Sequence, residues 1–210
     1  MNMKDFYQKK LIHTFKNKIP QDVTIKRLSN NDVPWPREAG WEDKLEFDIL
    51  AFELNDQTSV YASAGLSGAE SYLDKKRYEF MTFYRKDTNF LELTEDVEDQ
   101  NLYSENLLMY LCCYSVNEND YSKPGEVWIN WFSRYTNFNS ELEHLFFVES
   151  KIFFHDISFE IEGDEVDWLI AISITDQELA FYEEKGPQAL QDLLVGNNID
   201  ISNLFRGSLL

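Results

Sequence analysis

The sequence predicts an α+β fold, a mixed and mainly antiparallel sheet packed by helices, in a single domain over residues 1–210. Three observations carry this. Strand-like alternation and helix-like periodicity are interleaved along the chain without a strict βαβ rhythm. The 210 residues are 43% apolar and 15% aromatic, which is material for one sizeable core. The C-terminal third changes from alternation to helical period at one capping signal, Thr175-Asp-Gln-Glu178.

The first 40 residues read as helix, strand and loop. Tyr7, Leu11 and Phe15 fall at i, i+4 and i+8, with lysines largely on other faces, so residues 3–18 form an amphipathic helix that Pro20 helps close. Val23 to Leu28 is strand-like. Asn30 to Gly40, with Pro34, Pro36 and Gly40, is a loop that Trp35 and Trp41 are expected to pin to the body. From Phe47 to Leu54 both alternating sets are largely apolar, the mark of a strand covered on both faces. Val60 to Ala64 and the aromatic-rich Tyr78 to Tyr84 follow as strands. Glu92 to Asp99 is an acidic connection without a basic residue. Leu102 to Val116, apolar on several faces, reads as a helix sandwiched against the sheet.

Phe153, His155, Ile157, Phe159 and Ile161 alternate with more polar neighbours, which predicts a strand with His155 on its core face. Glu162 to Glu165 is a turn, and Val166 to Ile174 returns as a nearly continuous apolar strand. The capping box then starts a helix through Leu179 and Tyr182, broken at Gly186-Pro187. A second helix carries Ala189, Leu190, Leu193 and Leu194 and stops at Gly196.

Charge is distributed unevenly. The chain has 38 acidic and 19 basic residues, a net charge of −19. Its first 37 residues hold eight basic groups against three acidic ones, a net of +5, so the remainder carries −24. That field repels phosphate backbones and excludes nucleic acid as a ligand of the body, whereas it attracts a basic partner. No stretch approaches the roughly 18 apolar residues that span a bilayer, and no signal-peptide core is expected at the start. Cys112 and Cys113 are adjacent in a predicted helix, where successive side chains diverge by about 100°, so no disulfide is expected and a cytoplasmic location is.

Catalytic chemistry finds little support. Glu143-His144 is not part of an HExxH pair, and neither His13 nor His155 has a second ligand nearby, so no metal site, cofactor or catalytic residue is expected. His155 reads as a core imidazole satisfied by a hydrogen bond. Gly65-Leu-Ser67-Gly-Ala69 approaches a nucleophile elbow but ends in Ala and leads into a polar link. It reads as a turn in which Gly65 takes an unusual backbone angle and Ser67 bonds local amides. Glu160, Glu162, Asp164, Glu165 and Asp167 do not follow a calcium-loop spacing and read as a solvated, mutually repelling tip. In a strand, Trp128 and Phe132 would share one face and Trp131 would take the other.

Four patterns occur in order: Tyr61-Ala-Ser-Ala-Gly-Leu-Ser67, Arg77-Tyr-Glu79, Lys123-Pro-Gly-Glu-Val-Trp-Ile129 and Ile174-Thr-Asp-Gln-Glu-Leu-Ala-Phe-Tyr182. This order resembles the suppressor-of-fused domain family over about residues 45–195. The resemblance implies a suppressor-of-fused-like fold and a protein-binding role. The animal member sequesters a transcription factor, and small bacterial members act against toxins as immunity proteins. With a single family domain the bacterial role is the closer match. The expectation is a non-catalytic inhibitor, a bacterial immunity protein whose partner is a basic toxin domain, with no nucleic acid and no membrane involved. Its expected contact residues are Glu95, Asp96, Glu98, Asp99, Trp131, Glu162, Asp164, Glu165 and Asp167. The alternatives are a regulatory scaffold that takes a peptide at a sheet edge, and a hydrolase using Ser67 or a carboxylate pair.

Overall fold

A computed structural model describes residues 3–29, 46–68, 76–87, 103–118, 120–132 and 140–210. Eight strands form one sheet in the order β1-β2-β3-β4-β8-β6-β5, with β7 paired to β8. They are β1 (Thr24–Ser29), β2 (Glu46–Glu53), β3 (Thr58–Ala64), β4 (Lys76–Arg85), β5 (Val127–Trp128), β6 (Leu142–Glu149), β7 (Phe159–Ile161) and β8 (Asp164–Thr175). Every pairing is antiparallel except β4 with β8, which run parallel. The helices are α1 (Met3–Lys18), α2 (Tyr103–Asn117), α3 (Asp176–Lys185) and α4 (Pro187–Gly196). This is the mixed, mainly antiparallel α+β architecture that the sequence predicts.

The strand register explains the apolar runs. In β8, Val166, Trp168, Ile170, Ile172 and Ile174 join a core with Leu11 and Phe15 of α1 and Leu190 and Leu194 of α4. The alternate residue Leu169 enters a second core with Leu108, Leu111 and Cys112 of α2. The sheet is therefore covered on both faces, and its central strand has no solvent side to mark with polar residues. Ile49 and Leu50 of β2 divide between the same two cores. Both cysteines are buried and free.

Two expectations change. The strand predicted across Phe153 to Ile161 contracts to β7, and His155 is exposed and lies outside it. The cause is a 3-10 turn at Ser150–Ile152. Ser150 Oγ donates to the His155 carbonyl at 3.1 Å, and Phe154 N–H to the Ser150 carbonyl at 2.9 Å. Phe154 still reaches the core, against Phe52 and Phe83, from irregular backbone. A period of two therefore arose without a ladder. Trp131 also lies outside a strand: β5 ends at Trp128, and a turn through Asn130, at φ 53°, folds Trp131 back beside Trp128 with ring centroids 4.8 Å apart. The loop of residues 30–40, with Trp35 and Trp41, lies outside the described residues.

Helix α3 begins as expected. Thr175 Oγ1 accepts from Glu178 N–H, and Glu178 Oε2 accepts from Thr175 N–H at 3.0 Å. Glu178 has a second use that the capping box did not announce. Fully buried, it takes both Arg206 nitrogens, at 2.7 and 2.9 Å, while the same guanidinium donates to the Ser173 carbonyl at 2.6 Å. This fork ties the C-terminal segment to the end of β8. Arg206→Ala leaves a buried carboxylate without its cation and should cost about 3 kcal/mol of stability, whereas Arg206→Met with Glu178→Leu should cost less. Urea unfolding of the two variants checks the order.

Candidate functional site

The densest polar constellation is centred on Glu79, fully buried among the aromatic and apolar residues Tyr78, Phe80 and Met81 of β4. The β3–β4 ladder ends at Ala62 paired with Met81, and beyond it the β3 chain bends away. The amides of that bend would be orphaned, and one carboxylate takes them. Glu79 accepts from the N–H groups of Gly65 (2.9 Å), Leu66 (3.2 Å) and Ser67 (2.9 Å). It also accepts from the hydroxyls of Ser63 and Ser67, each at 2.6 Å. Gly65 makes the bend possible: its φ is 134°, and a Cβ there would sit 3.3 Å from Phe47 Cβ. The expected unusual angle at Gly65 is present, but Ser67 bonds a distant carboxylate and not local amides.

Ser63 extends the network. Its hydroxyl accepts from Phe80 N–H at 2.9 Å, and its carbonyl accepts from Trp168 Nε1–H at 3.0 Å. Burial pushes the nearby Cys112 thiol well above its ordinary value, with the Glu79 charge adding to the effect. Such a thiol is no nucleophile. Ser67 is likewise fully buried, with its hydroxyl committed to Glu79. A substrate carbonyl cannot reach it.

Arg77, two residues before Glu79, joins this bend to the β7–β8 hairpin. Its Nη1 donates to the Ser67 carbonyl at 2.9 Å and its Nε to Asp164 Oδ2 at 2.8 Å. The hairpin turns through Glu162 and Gly163, at φ 53° and 93°. The expectation of a solvated, self-repelling tip is corrected here, because parallel pairing of β4 with β8 brings two cations to it. Asp164 pairs with Arg77, and Glu165 with Lys76 at 3.0 Å, while Lys76 also holds Glu149 at 2.6 Å. Glu160 and Glu162 remain exposed. Asp167 is buried, accepting at one oxygen from Ser150 Oγ (2.9 Å) and Trp168 N–H (2.7 Å). Burial pushes its carboxyl above the ordinary value against these bonds, and pushes Tyr78 up to about 12.

The expected contact residues thus separate. Trp131, 3% exposed, packs among Tyr110, Tyr114 and Trp128, and Asp167 is 2% exposed, so both are internal. Asp164 and Glu165 are partly or fully at the surface but ion-paired, and Glu162 is exposed. Glu95, Asp96, Glu98 and Asp99 lie outside the described residues. The buried histidine is not His155 but His144, whose ring bridges Asn130 N–H and Asp176. A lone glutamate inside an aromatic strand was the available signal for Glu79; nothing local marked His144. Among the described residues no group of three or more His, Cys, Asp or Glu side chains could hold a metal ion. No described helix is long and apolar enough to cross a membrane.

The family model of suppressor of fused protein matches residues 43–207. The chain is 29% identical to the immunity protein YqcF of Bacillus subtilis (strain 168) over 173 residues, covering 80% of this chain and 85% of that one. In structure it is similar to a suppressor-of-fused homologue from Neisseria gonorrhoeae FA 1090, with a TM-score of 0.61, 16% identity and 98% of each chain covered. It also resembles a chain of the Sufu–Fu complex, with a TM-score of 0.52 and 16% identity over 94% of this chain and 84% of that one. All of the Glu79 bend and the α3 capping box fall inside the matched span.

Two substitutions test the internal assignments. Glu79→Gln keeps the shape but turns one acceptor oxygen into a donor facing donors, and should lose about 3 kcal/mol. For Asp167 the folded value lies above the unfolded one. Its stabilising contribution is therefore complete below the unfolded carboxyl value of about 3.9 and is lost as pH rises through the raised folded value. Asp167→Asn should gain on the parent protein as pH increases from about 4 to about 7, which urea midpoints at the two pH values will show.

Proposed function

We propose that this chain, which belongs to the suppressor of fused family, is a non-catalytic protein-binding inhibitor, an immunity protein that neutralises a cognate toxin. The observation that carries this reading is the likeness to the Bacillus subtilis immunity protein along most of both chains. Geometry supports it. The one serine in a nucleophile-like turn is sealed in the core, and the strongest polar clusters are spent on holding backbone.

The partner we propose is a basic toxin domain met in the cytoplasm. A body carrying −24 steers such a domain toward it and stands against the same phosphate backbone that a nucleic-acid-cleaving toxin would grip. We assign the contact to carboxylates, with Glu162, exposed at the hairpin tip, and the acidic sequence run Glu95, Asp96, Glu98 and Asp99 as first candidates. A second reading, addition of a peptide strand to the sheet edge, is favoured by β1: it is an outer strand of the described sheet, and Ile25 on it is 45% exposed.

The test begins with the DNA immediately upstream of the gene. It should encode a modular reading frame ending in a small basic domain. Co-expression of that domain with this protein should restore growth that the domain alone arrests, and the complex should weaken at least tenfold between about 0.05 and 0.5 M salt. Glu162→Lys should weaken it further without altering thermal stability. Unrelieved growth arrest would sink the immunity reading. Binding that is indifferent to salt, yet lost on Ile25→Pro, would select the β1 edge instead.

A further inference from the structure

We infer that His144 is an acid-responsive latch on the turn that seats Trp131. The ring is 1% exposed and has both nitrogens occupied. Nδ1 lies 2.9 Å from the Asn130 N–H, which can only donate, so Nδ1 carries the lone pair. The single proton is therefore on Nε2 and points to Asp176 Oδ1 at 2.8 Å. Two local features converge to make this contact. β6 shifts register between Leu142 and His144, and Asn130 adopts φ 53°, a left-handed conformation that asparagine tolerates more readily than most side chains.

A second proton on the ring has one place to go, Nδ1, where it would confront the Asn130 N–H donor to donor. Protonation and the Asn130 bond exclude one another. The unpaired charged groups nearest the ring are carboxylates. Asp176 faces it from α3, 81% exposed, and Glu143 flanks it on its own strand. The facing residues Ile174 and Thr175 of β8 are uncharged, and the next pair along α3, Glu178 with Arg206, is mutually neutralised. Acid thus trades a part-buried backbone bond for a charged pairing with Asp176. The residue released is next to Trp131, whose ring packs against Tyr110, Tyr114 and Trp128 on the α2 side of the sheet.

The experiment follows the Asn130 amide and the His144 ring by NMR while pH falls from about 8 to about 5, with tryptophan emission recorded in parallel. The expected result is that the Asn130 amide shifts in step with the His144 ring, loses about tenfold of its exchange protection after correction for intrinsic rates, and that emission moves to the red over the same range. His144→Asn offers a carbonyl in place of Nδ1 without a titrating group, and should abolish all three changes. If that variant does not fold, Asp176→Asn serves: it keeps an acceptor for Nε2–H but removes the charge, and should move the transition to lower pH. A ring that does not titrate in this range, a ring that titrates while Asn130 stays fixed, or an unchanged transition in His144→Asn or Asp176→Asn would each overturn the latch.

Discussion

The buried carboxylate of Glu79 is the constraint on which the rest of this structure depends. A charge placed in a protein interior is costly unless its lone pairs are filled, and here three amides and two hydroxyls fill them. The arrangement works in both directions. Without Glu79, the amides of Gly65, Leu66 and Ser67 would be buried without acceptors, because the β3–β4 ladder has already ended. Through Ser63 the same cluster holds the Trp168 indole, and through Ser67 and Arg77 it reaches the β7–β8 hairpin. One side chain thus fixes where β3 stops, how β4 meets β8, and where the hairpin points.

The same economy recurs at the other end of the sheet. Glu178 caps α3 and receives Arg206, so a helix start and the C-terminal segment share one anion. Gln8 of α1 donates to Asp48 and to the Ala64 carbonyl, docking the first helix beside the Gly65 bend. In each case a polar side chain in the core has its hydrogen bonds filled by backbone groups and neighbouring side chains. An excess of acid remains for the surface.

Legibility followed the range of each interaction. The capping box of α3, the Gly186-Pro187 break and the two-faced apolar strands are decided by residues within a few positions of one another, and all were readable. The Arg77-Tyr-Glu79 element was visible as a pattern, yet its purpose was not, since Glu79 acts on residues 12 to 16 positions earlier. The acidic hairpin was misjudged for a related reason. Its cations, Lys76 and Arg77, stand 89 and 87 positions before Glu165 and Asp164, and only the parallel β4–β8 pairing brings them there. His155 and His144 exchanged roles because alternation alone cannot distinguish a ladder from an irregular segment packed by aromatics.

The segments that identify the family each hold a difficult piece of backbone. Gly65 to Ser67 wraps Glu79, and Thr175 to Glu178 caps a helix. Gly125, at φ 85°, donates to the Phe147 carbonyl so close to α4 that a Cβ would stand 3.0 Å from Pro187. Each solves a problem of backbone geometry, while Ile129 and Asp176 in the same motifs face outward. A frame held by such devices tolerates change in its exposed carboxylates at little cost in stability, since surface charges contribute weakly to folding. Relatives that share only 16% of their residues can therefore keep the architecture, as the Neisseria homologue does, while their outer surfaces are free to match different partners.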